Sequence, residues 1–129
     1  MPLEKFDERT PLAQGYQLQN GDGTNAQFVY SGDPSGSRFD SIMVTNDDVI
    51  AHNLEFQVTV NGVKFSIGSI AVPAGAGTGG VPAVEAIAAL ALGGIGAVIL
   101  PPLSELYVRA EVAVTGAHTV SVTALGGDF

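Results

Sequence analysis

From Phe39 onward, apolar and polar positions fall into short periodic runs. Phe39–Thr45 is rich in β-branched and aromatic residues and reads as a strand. Asn46-Asp47-Asp48 reads as a turn. Leu54, Phe56, Val58 and Val60 then alternate with Glu55, Gln57, Thr59 and Asn61, the two-residue period of a half-buried strand. Asn61-Gly62 follows, and Val63, Phe65 and Ile67 alternate with Lys64 and Ser66. Asn-Gly between alternating runs predicts a hairpin, because both central residues of a type I′ turn need positive φ. The apolar phase slips at Gly68-Ser69 and resumes at Ile70 and Val72, which predicts a bulge at Gly68.

Beyond this hairpin, Pro73–Gly80 reads as a loop. Pro82 suits a first helical turn, and Val84, Ile87, Leu90 and Ala91 share one helical face through Leu92, with Gly93-Gly94 as the stop. A short strand, Ala97–Leu100, meets Pro101-Pro102. In the last third, Leu106, Val108, Ala110, Val112 and Val114 alternate with Glu105, Tyr107, Arg109, Glu111 and Thr115. After a turn near Gly116, Val120, Val122 and Ala124 alternate with Thr119, Ser121 and Thr123, so a second hairpin is expected. Residues 1–37 differ: Pro2, Pro11, Pro34 and two Gly/Asp-rich turns interrupt any period. They read as an extended N-terminal arm with one strand at Gln27–Tyr30. The fold class expected is all-β, an antiparallel, jelly-roll-like β-sandwich over 38–129, with one short helix crossing an end.

Composition narrows the function classes. A chain of 129 residues fits one domain able to bury its own core. The absence of Cys excludes disulfides, zinc ribbons and thiol chemistry. Thirteen acidic against five basic residues give a net charge of −8, without the footprint of a nucleic-acid binder. The polar start Met1–Glu8 does not read as a secretory signal, so synthesis and folding in a cytosol are expected. Ala86–Leu100 carries no charge, but its 15 residues fall short of the roughly 20 a spanning helix needs, and no membrane partner is expected. A soluble domain must hide this stretch in its core or against another subunit.

Candidate chemistry is sparse. Gly75-Ala76-Gly77-Thr78-Gly79-Gly80 matches the glycine pattern of a dinucleotide loop. The region about 20 residues on, Ile99-Leu100-Pro101, offers no acid for a ribose, and the flanking strands read as hairpins. An ordinary or interface loop is the expectation, with a nucleotide-binding enzyme as a minor alternative. His52 and His118 would need carboxylates such as Asp47 or Asp48 to hold a metal, and both read as solvated loop residues. Asn20–Asn25 alternates oxygen ligands but lacks the remaining calcium-loop positions. Carbohydrate stacking would fall to Tyr16, Tyr30 and Tyr107 in a chain without Trp. No catalytic residue, cofactor or metal is assigned.

The IMVTN strand ending at Asn46, the run VTVNGVKFSIGSIAVPAGAGTGG (58–80) and the closing LYVRAEVAVTGAHTVSVTALGGDF resemble small β-sandwich virion proteins of tailed bacteriophages. The resemblance spans about 90 residues from Phe39 and is one of texture, without an enzymatic motif. It implies a non-enzymatic capsid decoration (cement) protein on the head exterior, bound to the major capsid protein. It further implies a homo-oligomer, often a trimer, with an arm reaching neighbouring subunits. The alternative is a neck, tail or fibre-associated module that binds a host surface or glycan. Assembly residues expected are Leu3, Phe6, Leu12 and Tyr16 in the arm, and Ile87, Leu90 and Ile95 in the central segment.

Overall fold

The computed structural model describes residues 10–31, 36–90 and 98–128, and of residues 10–12, 98, 99 and 128 the backbone alone. Among the described residues, nine strands build two antiparallel sheets. They are β1 (Thr10–Leu18), β2 (Gln27–Ser31), β3 (Ser37–Asn46), β4 (His52–Val60), β5 (Val63–Val72), β6 (Val84–Glu85), β7 (Val98–Leu100), β8 (Glu105–Ala110) and β9 (Val120–Asp128). One sheet runs β1-β9-β3-β6, with β7 also on β3; the other runs β2-β8-β4-β5. This is the all-β sandwich that the alternating runs predict.

The core lies between the sheets. Phe39, Ile42 and Val44 of β3 and Val120, Val122 and Ala124 of β9 face Leu54 and Phe56 of β4 and Leu106, Val108 and Ala110 of β8, all buried. The rings of Tyr30 and Phe39 meet edge to face across the layers, centroids 5.1 Å apart. Each of the valine, leucine, isoleucine and phenylalanine side chains contributes roughly 1.5–3 kcal/mol on burial.

The Asn61-Gly62 hairpin forms as expected, with φ of 53° and 79°. The bulge lies at its expected place: Phe56 opposes Gly68 and Gln57 opposes Ser66, leaving Ile67 unopposed, and Gly68 holds φ 132°.

Three expectations change. The arm over 1–37 is, across its described residues, part of the sandwich. β1 pairs with β9 through nine successive positions and sends Leu18 into the core, while β2 pairs with β8. Local Pro and Gly mask a strand here because β9 supplies the hydrogen bonds. The second hairpin is instead a crossover: β8 belongs to one sheet and β9 to the other, with Val114 buried in the connection. The described helix, α1 (Ala86–Leu90), starts at Ala86 rather than at Pro82. Glu85 accepts the N–H groups of Ile87 and Ala88, at 3.2 and 2.8 Å, and so caps it. Val84 and Glu85 pair instead with Val44 and Met43 of β3. No helix among the described residues is long and apolar enough to cross a membrane.

Candidate functional site

The two ends of the sandwich differ in character. At one end, the connections 46–52, 73–76 and 111–119 are joined by a polar network. Asp48 and His52 are both fully buried, with Nε2 of His52 2.8 Å from Oδ2 of Asp48. The same oxygen accepts the Thr115 N–H at 2.8 Å, and Oδ1 accepts the Val49 N–H at 2.6 Å. Burial alone would raise the Asp48 pKa; the hydrogen bonds from His52, Thr115 and Val49 outweigh it and hold the carboxyl far below the usual carboxylate range. His52 Nδ1 is buried without a partner among the described residues. We assign the imidazole proton to Nε2, since an unpaired acceptor there costs less than a buried unpaired N–H. Asn46 extends the network, donating to the carbonyls of Ile50 and Pro73 and accepting the Asp48 N–H.

His118 makes a parallel but exposed pairing, its Nδ1 3.3 Å from Oδ1 of Asp47, which also accepts the Thr119 N–H. Each histidine thus takes one of the two adjacent aspartates. His52 is corrected from solvated to buried: alternation along β4 carries it inward, in phase with Leu54 and Phe56. Among the described residues no three His, Asp or Glu side chains gather to hold a metal ion. The arrangement anchors loops to strand ends, a structural chemistry.

The Gly75–Gly80 loop docks on this end. Ala76 is buried and its carbonyl accepts the Asn46 N–H. Gly77 lies so close to Thr45 that a Cβ would come within 2.6 Å of its methyl. The loop closes on itself through Thr78 N–H to Gly75 and Val81 N–H to Thr78, and every strand around it is antiparallel. A dinucleotide fingerprint needs a parallel βαβ setting, and this loop does not have it.

The opposite end is apolar. Val60, Val63 and Phe65 point to the inner side of their sheet, in phase with buried Leu54, Phe56, Ile70 and Val72, yet are 50%, 56% and 52% exposed. Beside the hairpin turn, Ser104 N–H closes a turn onto Pro101. Leu103 in that turn holds φ 65°, a left-handed conformation costly to a leucine, with its side chain 71% exposed. A cleft of about 380 Å³ lies between Thr59–Gly62 and Pro101–Ser104. The outer face of the β2-β8-β4-β5 sheet carries a third feature. Phe28 and Tyr107 meet edge to face at 5.8 Å, and Nζ of Lys64 stands 4.4 Å from the Tyr107 ring centroid.

The assembly residues expected from sequence scatter. Leu3, Phe6 and Ile95 lie outside the described residues. Leu12 sits in β1 opposite Gly126. Tyr16 is half-buried in β1 and donates its hydroxyl to Asp22 at 2.9 Å, holding the 19–25 turn to its own strand. Ile87 is corrected: at 2% exposure it belongs to this chain's own core. Leu90 packs half-buried against that core and approaches Gly68. Sequence reasoning missed Val60, Val63 and Phe65 as surface residues because their period matches that of core residues.

No protein-family model matches the chain, and the curated proteins give no significant sequence match.

Proposed function

We propose that the protein is a non-enzymatic structural component of a tailed-phage virion, a capsid decoration protein that binds the head exterior through the major capsid protein and through further copies of itself. The sequence texture of 39–129 supports the virion setting. The observation that carries the assembly role is the strip Val60, Val63 and Phe65, large apolar side chains in core phase that the described residues leave about half exposed. Covering such surface yields roughly 25 cal/mol per Å², and contiguous apolar patches mark interaction sites. The net charge of −8 suits an outer surface better than one facing DNA. The polar network at the far end holds its loops in one arrangement, as a protein repeated over a shell requires.

Co-sedimentation with empty tailed-phage heads assembled from a major capsid protein tests this reading. Binding, with particle images showing added density across all head faces, is the expected result. Heads that leave the protein in the supernatant overturn it. Exposed Phe28, with half-buried Tyr107 against it, favours a second reading, a neck, tail or fibre module whose outer sheet face stacks on a host glycan. Density at one vertex and a glycan-array signal lost in Tyr107→Ala would support that instead.

A further inference from the structure

Strand β5 is the outermost strand of its sheet. It pairs with β4 on one side, and no described strand pairs with it on the other. An edge ten residues long is a template for another strand, and proteins ordinarily guard such edges with charge, proline or a bulge. Here the bulge at Ile67–Gly68 interrupts the ladder but leaves Val63–Ser66 regular. The only charge on the strand, Lys64, lies over the Tyr107 ring, two strands inward on the outer face, so it does not screen the edge. On the inner face of the same segment stand Val63 and Phe65, with Val60 beside them.

Charge selects the occupant. None of the thirteen acidic residues falls within 56–84, a stretch whose one charge is Lys64. Two copies of a chain with net charge −8 repel when acid-bearing faces meet, and the Val63–Ser66 segment brings no acid of its own to such a contact. A second copy also brings matching apolar side chains to the same face, where cross-strand pairs stabilise a sheet.

We infer that two copies of this chain pair antiparallel through the Val63–Ser66 segment of β5, merging two four-stranded sheets into one of eight strands and covering Val60, Val63 and Phe65 on both. This inference rests on the self-assembling reading above and names its contact. The contact is isologous and closes at two copies, so the trimer implied by the sequence resemblance would need a different, head-to-tail contact.

Native mass spectrometry and sedimentation velocity across a concentration series test the inference, with far-UV circular dichroism as the fold control. The wild-type chain is expected at twice 13.1 kDa. The double variant Val63→Glu/Phe65→Glu is expected to remain folded and to self-associate more weakly by roughly thirtyfold or more. Because the chain has no Cys, single-thiol variants from Val63→Cys to Ser66→Cys supply a second readout that keeps the native charges. A two-fold axis places one position of the paired segment opposite itself, within the Cα separation of about 4.4–6.8 Å that a disulfide bridges. A covalent dimer is therefore expected from this set on oxidation and not from the Ser121→Cys control on the other sheet. A trimer, or a dimer indifferent to the double variant and without a cross-link here, overturns the β5 contact while leaving self-assembly standing. A wild-type monomer at every concentration overturns both.

Discussion

Asp48 and His52 stand one turn apart in sequence and face each other at 2.8 Å, both fully buried, where the connection after β3 enters β4. The pair has no route to solvent, so its two members depend on each other and on the N–H groups of Val49 and Thr115. Removing one partner strands the other. Asp48→Ala leaves the His52, Val49 and Thr115 N–H groups without their acceptor and is expected to cost about 3 kcal/mol or more in urea denaturation, at roughly 1–3 kcal/mol per stranded buried donor.

The same carboxylate makes stability depend on acidity. Its pKa is depressed in the folded state, so its contribution is fully present above the unfolded value of about 3.9 and is lost as pH falls toward the folded value. Glu55, held low chiefly by the hydrogen bond from Arg109, adds to the same trend. Thermal midpoints are expected to fall steadily below about pH 4. The fall should be shallower in Asp48→Asn, and a slope equal to wild type would contradict this account.

Gly126 offers a steric test. A Cβ there would run into the carbonyl oxygen of Arg38, where β3 carries its own bulge between Phe39 and Ser41. Neither backbone can give way without breaking the ladder that ties β9 to β3. Gly126→Ala is expected to destabilise by about 1–3 kcal/mol, the usual cost of overpacking, read from the urea midpoint.

Gly62 tests the hairpin. It holds φ 79° in open space, so alanine there meets no neighbour and suffers only the left-handed backbone. Gly62→Ala is expected to cost about 1 kcal/mol, while Gly21→Ala, equally open but without positive φ, should cost less. Equal effects would show that the turn is not the cause.

Truncation separates arm from strand. Deleting residues 1–20 removes all of β1 and the buried Leu18, stripping β9 of its partner along nine positions. The shortened chain is expected to lose its cooperative thermal transition by circular dichroism. A sharp transition near the wild-type midpoint would show β1 to be dispensable.

Much of the fold is legible in particular residues. Alternation over Leu54–Val60 and Val120–Ala124 assigns both strand and inward face, because the side-chain period of a strand is two whatever its neighbours. Asn61-Gly62 and Gly68 mark turn and bulge because positive φ is a local demand. The candidate site is far less legible. His52 looks like a loop residue until β4 begins with it, and Asp48 lies in what reads as an ordinary turn. Val63 and Phe65 share the period of core residues, and nothing local tells that the facing sheet leaves them uncovered.

By itself, then, the sequence determined the strands other than β1 and β6, their apolar faces, one hairpin and the acid-free stretch 56–84, each a property of neighbouring residues. Only the tertiary structure decided which strands pair. It set β1 beside β9 and sent β8 and β9 into different sheets, since a strand's hydrogen bonds are satisfied equally well by a partner far away in the chain. It also decided that Asp48 and His52 are buried together and that no described strand covers the outer edge of β5, because burial depends on which surfaces end up facing one another.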